Sequence, residues 1–101
     1  MIGVTVLVVD RDPRVRELMV RALRTAGMHA LGAYVPADAV ALLDGIAADV
    51  VLVRSDDEDA ALRWLRRRTI LVRVPSNATV DEAVGELLRA LGRGDEAVSL
   101  N

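Results

Sequence analysis

The chain contains no cysteine, which removes disulfides, thiolate nucleophiles, Cys-ligated zinc and iron–sulfur clusters together. A single histidine, His29, leaves little nitrogen for a transition-metal site, so no metal and no cofactor is expected. Lysine and phenylalanine are absent too. All 13 basic residues are therefore arginine, and the 2% of aromatic residues are Tyr34 and Trp64. This bias reads as that of a GC-rich genome and carries no functional weight. Positive charge is not in excess: the formal net charge is −2, which gives no overall field for nucleic acid or an anionic membrane. Nor is there a long apolar run. The stretch within Met1 to Asp10 has about six apolar residues and no preceding cation, too few for a signal peptide or a membrane span. The expectation is a cytoplasmic protein.

What remains is a chain of 101 residues, 52% hydrophobic and 28% charged, the size of one small domain. A chain of this length buries roughly 60–70% of its unfolded surface, enough to fold without a staple. Val4 to Val9 is an apolar run without polar alternation, the pattern of a strand buried on both faces. Asp12 then precedes Pro13 as an N-cap, and Val15, Leu18, Met19, Ala22 and Leu23 recur at helical spacing up to Gly27. Met28 to Tyr34 reads as a weaker strand, and Pro36-Ala37-Asp38 opens a second helix carrying Val40, Leu42, Leu43 and Ile46. A third strand, Val50 to Val53, stops at Arg54.

Ser55 and Glu58 then have the spacing of a capping box. This puts Asp56, Asp57, Glu58 and Asp59 in the first turn of a third helix and Arg66, Arg67 and Arg68 near its end, each block complementing the helix dipole. Thr69 to Val74 is a fourth strand. Thr79 and Glu82 repeat the capping-box spacing before a last helix with Val80, Ala83, Val84, Leu87, Leu88 and Leu91 on one face, which Gly92 and Gly94 are expected to end. Strands alternating with helices imply an α/β class with right-handed crossovers. The domain is assigned to residues 1–94, with 95–101 as a short polar tail. No nucleophile–base pair, Gly-rich phosphate loop or acid/base carboxylate pair is present, so no enzymatic activity is expected.

Val6-Leu7-Val8-Val9-Asp10-Arg11-Asp12-Pro13, Arg16-Glu17-Leu18, Ala26-Gly27, Ala37 to Leu43 and Ala48-Asp49-Val50-Val51-Leu52-Val53 follow one another in an order that resembles the receiver domain of bacterial two-component response regulators. The resemblance covers Val4 to Arg54 well and thins afterwards. It implies a flavodoxin/CheY-like doubly wound parallel sheet. Receivers usually run about one strand–helix unit longer than this chain. The expectation is therefore a truncated version, with four strands in the order 2-1-3-4 and four helices.

In that family, two carboxylates after the first strand and one ending the third bind Mg²⁺ through oxygen, and the third carboxylate is phosphorylated. Carried over by position, Asp10 matches the first acid, Arg11 stands where the second acid belongs with Asp12 beside it, and Arg54 stands where the phosphoacceptor belongs. Val72 or Val74 falls near the family's hydroxyl-bearing switch residue. The family's lysine is missing, with only Arg73 in its neighbourhood. A guanidinium cannot accept a phosphoryl group as aspartate does, and it repels Mg²⁺.

Asp10, Arg11, Asp12 and Arg54 thus form a degenerate phosphorylation site, in which Arg54 either pairs with Asp10 or points to solvent. What the resemblance implies is a pseudo-receiver: a phosphorylation-independent protein–protein interaction module in bacterial signalling, acting as a homodimer or as an adaptor to another regulator. The candidate interface is the last strand, Thr69, Ile70, Leu71, Val72, Arg73 and Val74, with Trp64 nearby as a core or contact residue. Two alternatives stay open. One is a small-molecule or anion-binding regulatory module using Arg11, Arg54 and Arg73 at the strand ends. The other is a phosphoacceptor displaced to Asp56 or Asp57, whose plainer role is as first-turn helix acids favoured by the dipole. His29 lacks the partner base of a phosphohistidine carrier. The Arg66 to Arg68 run has no recognition-helix or stacking set beside it and reads as a solvated helix end.

Overall fold

The two uninterrupted apolar runs form the middle of the sheet, because a strand covered on both faces can hold apolar residues at successive positions without polar alternation. In the computed structural model, which describes residues 3–99 and their side chains through residue 92, these runs are β1 (Thr5–Val9) and β3 (Val50–Arg54). Val6, Leu7, Val8 and all of Val50 to Val53 are fully buried. Around them lie α1 (Pro13–Thr25), β2 (His29–Ala33), α2 (Pro36–Leu42), α3 (Ala60–Arg68), β4 (Ile70–Val74) and α4 (Val80–Ser99). The four strands are all parallel and run in the order β2-β1-β3-β4, the flavodoxin-like, doubly wound arrangement expected from the sequence.

Alternation along the central strands divides the core into two layers. Val6, Val8, Val50, Leu52, Val72 and Val74 face α1 and α4, where Met19, Leu23, Ala83 and Leu87 meet them. Leu7, Val9, Val51 and Val53 face α2 and α3, against Ala39, Leu62 and Leu65. At the start of α1, the Asp12 carboxylate accepts the N–H groups of Arg14 (2.9 Å) and Val15 (3.3 Å). The helix ends at Gly27, whose φ of 91° is the left-handed conformation. There the N–H groups of Gly27 and Met28 fold back onto the carbonyls of Arg24 and Leu23. The Thr79–Glu82 capping box forms in both directions, at 2.8 and 3.1 Å.

Two expectations are corrected. First, Ser55 and Glu58 do not cap α3. Its N-cap is Asp59, which accepts the Leu62 N–H at 3.1 Å, so the acidic block precedes the helix instead of filling its first turn. The reason is competition: Glu58 is drawn to Arg73 and Arg66, and the Ser55 hydroxyl accepts the Asp57 N–H in a local turn. Second, α4 does not stop at Gly92 and Gly94 but continues to Ser99, and Leu100 and Asn101 at the end of the expected tail lie outside the described residues. Gly92 does not adopt a left-handed φ. Without that turn, a glycine only weakens a helix, by about 1 kcal/mol relative to alanine. Among the described residues, no helix is long and apolar enough to cross a membrane.

Candidate functional site

Val9 and Val53 are register partners, so the residues that follow them, Asp10 and Arg54, emerge side by side at the carboxyl ends of the central strands. In this topology the winding reverses between these strands, and open α/β sheets bind ligands in the crevice left there. The Asp10 side chain is 3% exposed and that of Arg54 12%. Arg54 Nε donates to Asp10 Oδ2 at 2.6 Å and Nη2 to Oδ1 at 3.3 Å, a two-pronged guanidinium–carboxylate pair. Its Nη1 donates onward to the carbonyl of Ser76 and, at 3.4 Å, to that of Ala78. The hydrogen bond to Asp10 raises the Arg54 pKa above its ordinary value, outweighing the opposite pull of burial. Asp10 Oδ1 also accepts the Asp12 N–H at 2.9 Å, and the Asp10 carbonyl accepts Arg16 Nη1 at 2.8 Å. Arg16 reaches it by lying across Gly32, where a Cβ would come within 2.9 Å of Arg16 Cδ.

A second network ties the β3–α3 loop to β4 and the loop after it. The Asp56 carboxylate accepts the Ser76 N–H (3.0 Å) and its hydroxyl, and these bonds lower the Asp56 pKa. Arg73 donates to the Ser55 carbonyl (3.1 Å), the Asp57 carbonyl (2.9 Å) and Glu58 (2.6 Å); the last bond is the main reason the Glu58 pKa is lowered. Between these networks is a cleft of about 280 Å³, lined by Asp10, Arg11, Asp12, Tyr34, Arg54, Asp56 and Ser76, with Asp57 and Asp59 also on its wall.

The structure brings together Asp10, Arg11, Asp12 and Arg54, along with Asp56 and Asp57. It does not bring in Arg73, which does not line the cleft and is engaged by the β3–α3 loop. Trp64 lies near the opposite ends of the strands, in a shallow pocket with Ala48, Arg68 and Thr69. It packs half-buried against the α2/α3 core, with the Arg68 guanidinium 4.5 Å from its ring centroid. Within β4, Ile70 is the exposed apolar residue, at 51%, and Leu71 is half-buried against the same core. Sequence reasoning missed Ser76 and the Ala78 carbonyl. No residue pattern marks a loop carbonyl as the acceptor of a guanidinium more than twenty positions away.

The receiver resemblance implies Mg²⁺, and the residues here do not fit it. Both Asp10 oxygens are taken by the Arg54 cation, and among the described residues no group of three or more His, Cys, Asp or Glu side chains could hold a metal ion. The chemistry available is that of a fixed cation clamping one carboxylate and a neighbouring loop.

No protein-family model matches the chain, and no curated protein matches it. The chain is similar to a solved structure described as the yeast Spc42 trimeric coiled coil, amino acids 181–211, in a fusion. The identity is 16%, the TM-score is 0.61, and the match covers 98% of this chain and 86% of that one. A likeness at that identity concerns the fold alone.

Proposed function

We propose that this chain is a pseudo-receiver, a phosphorylation-independent protein-interaction module of bacterial cytoplasmic signalling that acts through a second copy of itself or as an adaptor to another regulator. The observation that carries this reading is the Arg54–Asp10 pair with its extension to the Ser76 and Ala78 carbonyls. A permanent cation stands where the resemblance puts a phosphorylatable carboxylate, and it makes the contacts by which a bound ion or phosphoryl group would draw neighbouring loops together. The anion-binding alternative has less support, since Arg54 and Arg73 are both engaged by acceptors of this chain. A displaced phosphoacceptor has less still: Asp56 is held by Ser76, and among the described residues no metal-binding set lies beside Asp57.

The test is an amide NMR titration with Mg²⁺ and then beryllofluoride, a phosphoryl mimic, following Asp10, Asp12, Arg54 and the Trp64 indole. A flat response is expected. Localised, saturable shifts around Asp10 would overturn the proposal and restore a phosphorylation switch.

A further inference from the structure

We infer that the free edge of β4 pairs antiparallel with β4 of a second copy of this chain, with Val72 opposite Val72 on the two-fold axis. The inference rests on the proposed reading and gives its partner and contact surface. The bonds that bracket the β3–β4 ladder, Ile70 N–H to the Asp49 carbonyl and Ser55 N–H to the Val74 carbonyl, set the parity of the strand. Ile70, Val72 and Val74 direct their backbone groups to β3, and Leu71 and Arg73 direct theirs outward. Among the described residues, no hydrogen bond reaches the outward N–H and C=O groups of Leu71 or Arg73.

The opposite edge of the sheet is obstructed. Arg24 lays its guanidinium on β2 and donates from both Nε (3.2 Å) and Nη2 (2.9 Å) to the Ala30 carbonyl. Its guanidinium thus occupies the outward carbonyl that an added strand would need, whereas on β4 the Arg73 guanidinium is drawn away to Ser55, Asp57 and Glu58. With β2 obstructed and β4 open, head-to-tail stacking of copies is prevented, and edge pairing between copies closes as a two-fold dimer.

The register follows from backbone and side chains together. Thr69 already spends its N–H on the Leu65 carbonyl, and Pro75 has none, so the outward donors of the strand are those of Leu71 and Arg73. Centring on Val72 sets Leu71 opposite Arg73 and satisfies every outward N–H and C=O of both residues. Centring on Arg73 places like charges directly opposite each other, and centring on Leu71 leaves the Arg73 carbonyl without a donor. The Val72 register also sets exposed Ile70 opposite Val74, an apolar pair.

The experiment uses the whole chain. Sedimentation across a concentration series is expected to show a monomer–dimer equilibrium. Hydrogen exchange at the Leu71 and Arg73 amides should slow by about tenfold when dimer outnumbers monomer by about ten to one, while the β2-edge amides of Ala30 and Gly32 stay unchanged. Because the chain has no cysteine, Val72→Cys introduces a single thiol. Opposed residues in such a pair have Cα atoms about 4.5 Å apart, within disulfide range, so mild oxidation should give a covalent dimer, and Leu31→Cys on β2 should not. Leu71→Pro, which deletes an outward donor and no β3–β4 bond, should shift the chain to monomer. A monomer at every concentration, a dimer whose Leu71 and Arg73 amides remain unprotected, or equal cross-linking through Leu31→Cys would overturn the inference. Repeating the beryllofluoride titration on the dimer separates the two failures. A responding cleft on an intact dimer overturns the phosphorylation-independent reading alone, and a flat cleft on a monomer overturns the edge pairing alone.

Discussion

Replacing Arg54 with alanine removes both prongs from Asp10 and the cross-strap to the loop at Ser76 and Ala78. The carboxylate left behind is 3% exposed and, among the described residues, keeps only the Asp12 N–H as a donor to its oxygens. Breaking one side of a fully buried pair costs about 3–5 kcal/mol, because an uncompensated charge stays in a low dielectric. Arg54 is 12% exposed, so water enters the space it vacates. The expected loss is therefore about 2–3 kcal/mol. Domains of this size have roughly 5–15 kcal/mol in total, so the change is large. With an unfolding entropy near 2.1 cal/mol/K per residue, it lowers the melting temperature by about 10–15 °C.

Urea unfolding at pH 7 gives the free energy, and an unchanged m-value shows that the unfolded state is not what moved. Asp10→Asn alone and combined with Arg54→Ala completes a double-mutant cycle. The double variant should regain part of the loss, with a coupling energy of at least about 1.5 kcal/mol. A loss under about 0.5 kcal/mol for Arg54→Ala, or simple additivity in the cycle, would mean that the pair behaves as a surface ion pair and that the clamp has no structural role.

Two further predictions concern the surroundings of the site. The Glu58 pKa is lowered below 4.5, chiefly by Arg73, and that of Asp56 below 3.8, chiefly by Ser76. A carboxylate with a depressed folded-state pKa contributes stability that is present above its unfolded pKa and lost as pH falls through the folded one. The urea midpoint should therefore drop as pH falls below about 4.5, and Glu58→Gln should flatten that drop; an unaltered slope refutes the Arg73–Glu58 assignment. Gly27→Ala forces a Cβ into a φ of 91° and should cost about 1 kcal/mol in urea unfolding, with no loss of dimer if β4 is the interface.

The strands and helices were legible because the pattern changes character along the chain. Val50 to Val53 without alternation means burial on both faces, and Asp12-Pro13 and Thr79-x-x-Glu82 are end signals with a local mechanism. The alternation of elements and the handedness of crossovers pointed to a parallel α/β sheet, and the strand order was what the receiver resemblance implied. The Arg54–Asp10 juxtaposition was also within reach, since it needs only the register of two adjacent strands. The start of α3 was not. Ser55-x-x-Glu58 satisfies the capping pattern, yet a long-range partner, Arg73 on β4, outbids the helix for Glu58. The role of Ser76 was hidden for the same reason, since its bonds to Asp56 and Arg54 cross about twenty residues and exist only once the sheet has formed. Propensity reads neighbours in sequence; sites are built from neighbours in space.

A buried ion pair is a weak device for stability alone, because apolar residues of similar size often do as well or better in its place. What an apolar residue at position 54 could not do is hold three segments at once: the end of β1 through Asp10, and the loop after β4 through the Ser76 and Ala78 carbonyls, from its own station at the end of β3. The choice of arginine also fixes the state of the site. Its charge does not titrate in any accessible range, and the pairing with Asp10 raises its pKa further. A switch needs two states that a signal stabilises unequally. A clamp whose cation is permanent offers no second charge state to select. In the proposed reading the variable is therefore the occupancy of the β4 edge, which responds to the concentration of a partner by mass action and not to chemistry at Asp10.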